Sequence, residues 1–271
     1  MSSYLDGILA WHRARAAEDR RDLEAIAQLA HARTVAAGAS DGSRPFALRL
    51  RRGCSPAIIA EVKRRSPFNG DLALDLDPAA LAAEYAEGGA ACLSVLTDRP
   101  HFSGSPEDLT AARSATTLPV LRKDFTVCEA DVYDTRLMGA DAVLLIVAAL
   151  SDSELARFLA LAAELQLDAL VEVHDLDEVE RALGVGARLL GVNQRDLRTF
   201  EVDTVRAERV AAGLPPGIVK VAESGIRSRD DVTRLGDAGY DAVLVGELLV
   251  RSRDRVGAVR ALRSPAGEVV A

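Results

Sequence analysis

Several short stretches of this chain set ammonium and carboxylate groups at the spacing that proton transfer needs. Glu61-Val62-Lys63 and Arg122-Lys123-Asp124 each close an apolar run, and so do Glu172-Val173-His174, Asn193-Gln194-Arg195, Glu223-Ser224-Gly225 and Gly246-Glu247. Lysine is scarce, because only Lys63, Lys123 and Lys220 among the 33 basic residues are lysine and the rest are arginine. A chain that uses arginine wherever any cation will do is expected to keep lysine where a compact ammonium must give up a proton, since guanidinium stays protonated at any relevant pH. Held between carboxylates, Lys63 and Lys123 suit general acid–base work or pairing with an anionic substrate, and the glutamates suit the complementary proton transfers. For any single residue of the set, a solvated rim of ordinary ion pairs is the plainer alternative.

The elements that must position these groups are legible as a repeat. A glycine, a small or aromatic residue and an apolar run recur at Gly89 to Leu96, Gly139 to Ile146, Gly186 to Asn193 and Gly239 to Gly246. Each reads as a helix ending on a glycine and leading into a short apolar strand. Strands apolar on both faces belong to a parallel sheet covered by helices. Further strands are predicted at Ala57 to Val62, Leu118 to Leu121, Asp168 to Val173 and Ile218 to Ala222, with amphipathic helices at Asp77 to Glu87, Ser151 to Leu165 and Ser228 to Ala238. Eight βα units make an α/β fold, a single (β/α)8 TIM barrel, in preference to an open doubly wound sheet, because the first βα turn lacks GxGxxG. Residues 1–50 lie outside the repeat. Leu5 to Ala36 is helical in period and Gly38 to Arg44 is a Gly/Ser break, so an N-terminal helical extension packed on a barrel of residues 51–271 is expected.

In such a barrel the strand ends listed above face one mouth. Alternation sends Glu61 and Lys63 to one side of the first strand, and Asn193 and Arg195 likewise at the sixth. The turns Ser224-Gly225 and Gly246-Glu247 follow the last two strands, where such barrels hold phosphate on backbone N–H groups, so a phosphorylated small molecule is the expected ligand. A formal net charge of −8 argues against nucleic acid. It also requires a locally positive mouth, with Lys63, Arg64, Arg65, Arg122, Lys123 and Arg195 as its sources. The longest apolar run, Ala142 to Leu150, is too short to span a bilayer, and the polar N-terminus lacks a signal core, so a cytoplasmic protein without membrane partners is expected. Cys54, Cys92 and Cys128 are scattered and read as packing thiols. The four histidines lack a ligand spacing such as HxxxH, so no metal is expected. His174 is read first as a structural histidine and His101 as an alternative substrate contact.

Taken in order, Ile59-Ala60-Glu61-Val62-Lys63-Arg64-Arg65-Ser66-Pro67, Leu93 to Asp98, Phe102-Ser103-Gly104-Ser105, Pro119 to Phe125, Leu170 to His174, Gly191 to Leu197 and Glu223-Ser224-Gly225-Ile226 closely resemble the indole-3-glycerol phosphate synthase family. The resemblance runs from about residue 3 to 262. It implies closure of 1-(2-carboxyphenylamino)-1-deoxyribulose 5-phosphate to indole-3-glycerol phosphate in tryptophan biosynthesis, with loss of CO2 and water and no cofactor. It further implies that Lys123 is the general acid at the ketone, that Glu172 and Lys63 serve the dehydration, and that Glu61 and Asn193 orient them. By the same resemblance Arg195 and Glu223 hold polar groups of the substrate, Phe102 and Pro67 pack on its ring, and Lys63, Ser66, Ser224, Gly225, Gly246 and Glu247 form the phosphate side. A monomer is expected, with a weak homodimer as the alternative.

The chain departs from the family pattern at Phe68, at His101 before Phe102, at Gln194, and at Ala130-Asp131. None of these positions carries a proposed proton-transfer group. They bear on the shape of the aromatic pocket, which leaves open a paralogue acting on a ring-substituted analogue. A related phosphosugar isomerase would be expected to carry a Cys/Asp pair instead, and a catalytically silent phosphate-binding barrel would not be expected to retain the Glu/Lys set.

Overall fold

The computed structural model describes residues 4–39, 44–51, 56–67, 69–196 and 201–263. Eight strands, β1 (Ala57–Val62), β2 (Cys92–Leu96), β3 (Val120–Lys123), β4 (Ala142–Ile146), β5 (Asp168–Val173), β6 (Leu189–Asn193), β7 (Val219–Glu223) and β8 (Ala242–Val245), close into one barrel. Each runs parallel to its sequence neighbours, and β8 returns to β1 with Ala57 opposite Ala242 and Ala60 opposite Val245. Strands β2, β4 and β6 are buried along their whole length, as their mainly apolar runs require, with Ser94 in β2 and Asn193 at the end of β6 as the polar exceptions.

The four glycines of the repeat have φ between 88° and 91°. There a Cβ would be strained, which is why glycine punctuates each passage from helix to strand. The helix starts follow their side chains equally closely. Asp77 accepts from the backbone N–H groups of Ala79 and Ala80, while Ser151 with Glu154 and Ser228 with Asp231 form capping boxes.

Three expectations need correction. Strand β3 begins at Val120 rather than Leu118, because Pro119 has no N–H for the ladder; Val120 N–H instead donates to Asp141 Oδ2 at 2.9 Å. Strand β7 is displaced by one residue, which sets Lys220 near its N-terminal end and away from the mouth. The N-terminal helical period is broken into two helices, α1 (Tyr4–Glu18) and α2 (Leu23–Ala39). At the break Asp22 Oδ1 accepts from the N–H groups of Glu24 and Ala25, and Arg21 is held by Asp19 and Asp134. Most of the predicted Gly/Ser break, together with Cys54 and Phe68, lies outside the described residues.

Both N-terminal helices pack on the barrel. Helix α1 buries Leu5, Ile8 and His12 and sends Arg13 to Glu154 and the Ala149 carbonyl. Helix α2 lies against the helix Glu129–Met138, where Arg136 Nε donates to Thr34 Oγ1 at 3.1 Å. Among the described residues, no helix is long and apolar enough to cross a membrane.

Candidate active site

At the C-terminal ends of the strands a cleft of about 1210 Å³ opens, and all fourteen residues expected at the site line it. Its centre is Lys123, the last residue of β3. Nζ lies 3.3 Å from Glu223 Oε2 at the end of β7 and 3.7 Å from Glu172 Oε2 on β5. A second pair stands beside it, with Lys63 Nζ 2.7 Å from Glu61 Oε2. Asn193, ending β6, donates from Nδ2 to Glu172 Oε1 at 3.2 Å, and its Oδ1 accepts the Arg195 N–H at 3.0 Å.

Two glycines make room for these carboxylates. A Cβ on Gly191 would sit 2.1 Å from Glu223 Oε1, and one on Gly246 would sit 2.4 Å from Glu61 Oε2. Either would displace a site carboxylate, so the small residues of β6 and of the β8 end are part of the geometry.

Burial and charge oppose one another here. Burial would raise the Glu61 carboxyl, but the ammonium groups of Lys63 and Lys123 override it and hold Glu61 below its ordinary range. Burial would likewise lower Lys123, yet Glu223, Glu172 and Glu61 surround it and drive it above the usual lysine range. Glu223 goes the other way. Burial, with Glu172 and Glu61 adding like-charge repulsion, pushes it up to about 7 against the pull of Lys123. Its Oε1 is buried and makes no hydrogen bond among the described residues.

On the expected phosphate side, Ser224 and Gly225 both take left-handed backbone, with φ of 64° and 75°. Gln194, one of the departures from the family pattern, braces this turn by donating from Nε2 to the Ser224 carbonyl at 2.7 Å. Glu247 opens the short helix Glu247–Arg251, and its carboxylate is taken up by Asn69 and Arg251. Opposite lies an apolar wall that includes Pro67, Leu96, Phe102 and Phe125, with the two phenyl rings 6.4 Å apart.

The expected sources of positive potential divide. Arg64 is bound to Asp108 at 2.8 and 2.9 Å, and Arg122 is bound to Asp124 and Thr97 beneath the wall, so neither faces the cleft. Arg65 points outward toward Asp71. Lys63, Lys123 and Arg195 do line the cleft, joined by Arg227, Arg229 and Arg251, which sequence reasoning did not single out. It also missed Tyr4, Leu5 and Ile8 of α1, which close one side.

Histidine placement agrees with the structural reading of His174 and corrects the alternative reading of His101. His174 is anchored by Glu178 through Nδ1 at 3.1 Å and its own N–H at 2.7 Å, with Nε2 3.8 Å from Glu172 Oε1. Burial would lower it, but Glu178 and Glu172 raise it above the ordinary imidazole range. His101 does not line the cleft; it turns to Asp98, where His12 also arrives. Of the thiols, Cys92 is buried and Cys128 is half-buried. Burial raises Cys92, and it lifts Cys128, beside Asp131, to about 11.

Residues 6–262 match the family described as indole-3-glycerol phosphate synthase. Proteins of that name include one from Mycobacteroides abscessus, 46% identical over 260 residues that cover 96% of this chain and 92% of the relative, and one from a Nocardioides species, 54% identical over 209 residues covering 77% and 80%. Among solved structures, a thiamine phosphate pyrophosphorylase from Pyrococcus furiosus aligns with a TM-score of 0.61 at 19% identity, over 80% of this chain and 96% of that one, which is a likeness of fold alone. With its closed parallel barrel, its match along nearly the whole length and relatives at such identity, this chain belongs to the indole-3-glycerol phosphate synthase family.

Proposed function

We propose that this mouth forms indole-3-glycerol phosphate from 1-(2-carboxyphenylamino)-1-deoxyribulose 5-phosphate, by ring closure, decarboxylation and dehydration, as a step of tryptophan biosynthesis. The observation that carries the reading is Lys123, an ammonium held between Glu172 and Glu223 in a cleft with one apolar and one polar side.

The substrate's aromatic ring lies against Phe102 and Pro67, and its phosphate reaches Ser66, Lys63 and the backbone of Ser224, Gly225, Gly246 and Glu247. The ring carbon that bears the carboxylate then attacks the ketone, and negative charge grows on the carbonyl oxygen. Lys123 stabilises that oxygen and protonates it. A raised pKa keeps the ammonium charged at neutral pH, and an alkoxide is a stronger base than the amine, so the proton moves as the C–C bond forms. Once CO2 has left, dehydration needs an acid for the departing hydroxyl and a base for a ring proton. Lys63 and Glu172 supply these, oriented by Glu61 and Asn193, while Arg195 and Glu223 hold the polar groups and the charge network.

The test mixes purified protein with the anthranilate-deoxyribulose phosphate and follows indole fluorescence. Signal growth that Lys123→Arg lowers by about 10²-fold or more supports the reading. No signal at high enzyme concentration overturns the activity, and near-wild-type turnover by Lys123→Arg overturns the acid role.

A further inference from the structure

Asp98, just past the end of β2, is 2% exposed and has no lysine or arginine within ion-pair distance among the described residues. Its oxygens meet two imidazoles instead, together with the backbone N–H of His101, which donates to Oδ2 at 3.0 Å. His12 Nε2, from α1, is 3.1 Å from Oδ1, and His101 Nδ1 is 3.0 Å from Oδ2 and 3.3 Å from Oδ1. All three donor atoms lie within 4.8 Å of one another. Aromatic rings fix the imidazoles from outside. Trp11 stands edge-on to His12 and His101 at 4.8 and 5.9 Å, and Phe125 lies 5.2 Å from His12.

A carboxylate taken out of water is costly unless hydrogen-bond donors or positive charge stand close, and the donors here are two imidazoles and one backbone N–H. A divalent cation would supply the charge with both imidazoles neutral, which is the form that ligates. Two nitrogens and a carboxylate oxygen are a donor set suited to zinc and its neighbours in the first transition row. Tetrahedral ligands at about 2.0–2.1 Å from such an ion stand about 3.4 Å apart. The carboxylate-to-imidazole separations here are within a few tenths of that, so modest side-chain movement would open the centre. The rings of Phe125 and of the partly exposed Trp11 would help hold the ligands in orientation.

We propose that His12, Asp98 and His101 form a site for a first-row divalent metal ion of the zinc type, which fastens α1 to the end of β2 at the edge of the cleft, which Asp98 lines beside the aromatic wall. The ligands come from residues 12 and 98–101, so no short motif announces them. The ion would stiffen the side of the cleft formed by Tyr4, Leu5 and Ile8 without touching the Lys/Glu cluster. Its binding is independent of the reaction assigned above, and the two can fail separately.

The experiment takes tag-free, chelator-stripped full-length protein at neutral pH, titrates it with Zn2+ by calorimetry and with Co2+ by visible absorption, and records the melting temperature with and without Zn2+. One ion per chain, a ligand-field spectrum of four- or five-coordinate Co2+ and a raised melting temperature are expected. His12→Ala and His101→Gln should each weaken binding by roughly 100-fold, above the ~10–100-fold that loss of an outer partner costs. His31→Ala, an exposed histidine of α2, should leave binding unchanged. Should one ligand variant fail to fold by circular dichroism, the other decides. Absence of saturable one-to-one binding to wild type, or binding retained by the folded ligand variants, overturns the site.

Discussion

The two ends of the barrel use carboxylates in opposite ways. At the mouth, Glu61, Glu172 and Glu223 face the ammonium groups of Lys63 and Lys123. At the floor, Asp141 and Asp241 accept the backbone N–H groups of Val120 and Lys220 on the neighbouring strand at 2.9 and 2.8 Å, Asp168 accepts that of Ala47 at 2.9 Å, and Asp141 also pairs through its other oxygen with Arg113 at 3.2 Å. A carboxylate bonded to backbone amides ties strand to strand, or helix to strand at Asp168, and is committed to that partner. One paired with a lysine tip can exchange that partner for a substrate. Each end nevertheless contains a carboxyl pushed up to about 7, Glu223 above and Asp141 below, and burial is the first cause of both. A shifted pKa therefore does not distinguish chemistry from architecture here; the partner does.

Removing one charge at each end should separate the two uses. The largest effect is expected from Glu172→Gln, which keeps the shape and the Asn193 contact but removes a proton-transfer group. Its kcat should fall about 10²–10⁴-fold, with stability unchanged or slightly higher, because Glu223 and Glu172 no longer repel each other. Steady-state fluorescence assays beside urea melts check this, and a destabilised enzyme of normal kcat would place Glu172 with the floor carboxylates. Next in size is Glu223→Gln. As pH falls through about 7, Glu223 takes a proton and Lys123 loses one of its charged partners. The pH profile of kcat/KM should bend near 7 on the acid side in wild type, and the bend should vanish in the variant.

For stability the sign is common to both ends. A carboxyl whose folded pKa lies above its unfolded value binds more protons folded than unfolded, so its contribution is complete below the ordinary carboxylate pKa and is lost as pH rises through about 7. Asp141→Asn removes one such titration at the floor. The decline of unfolding free energy between roughly pH 4 and 7 should flatten in urea titrations, while the kcat/KM profile keeps its bend. A shifted kcat/KM profile in that variant would mean that the ends are coupled.

How much of this was legible follows from where each determinant resides. Glu61, Lys63, Lys123 and Glu172 follow from local pattern, because a fully apolar strand interrupted by charge at its C-terminal end leaves few places for the charge to go. The displaced start of β3 depends on the ladder that Pro119 cannot join, which is legible in hindsight as a missing N–H. The turn between α1 and α2 is set by Asp22 and by Arg21 reaching Asp134, more than a hundred residues away, and helical period carries no trace of it. The same distance hides the contribution of Tyr4, Leu5 and Ile8 to the cleft and the meeting of His12 with Asp98, since both depend on how α1 docks. Arg64 and Arg122 were misread because an arginine at a strand end looks alike whether it faces the cleft or braces a loop.

The smallest effect concerns the third lysine, and it tests the reasoning that made lysine informative. Lys220 is the second residue of β7, so the same strand that delivers Glu223 to the mouth leaves this lysine near the floor. It does not line the cleft, and its backbone N–H, bonded to Asp241, is the part that the barrel uses. Any long cation should therefore serve there. Lys220→Arg is expected to leave kcat within about twofold and stability within about 0.5 kcal/mol, whereas the same exchange at Lys123 removes most activity. If Lys220→Arg were as damaging as Lys123→Arg, the scarcity of lysine would have a cause common to all three positions, and proton transfer at the mouth would not be it.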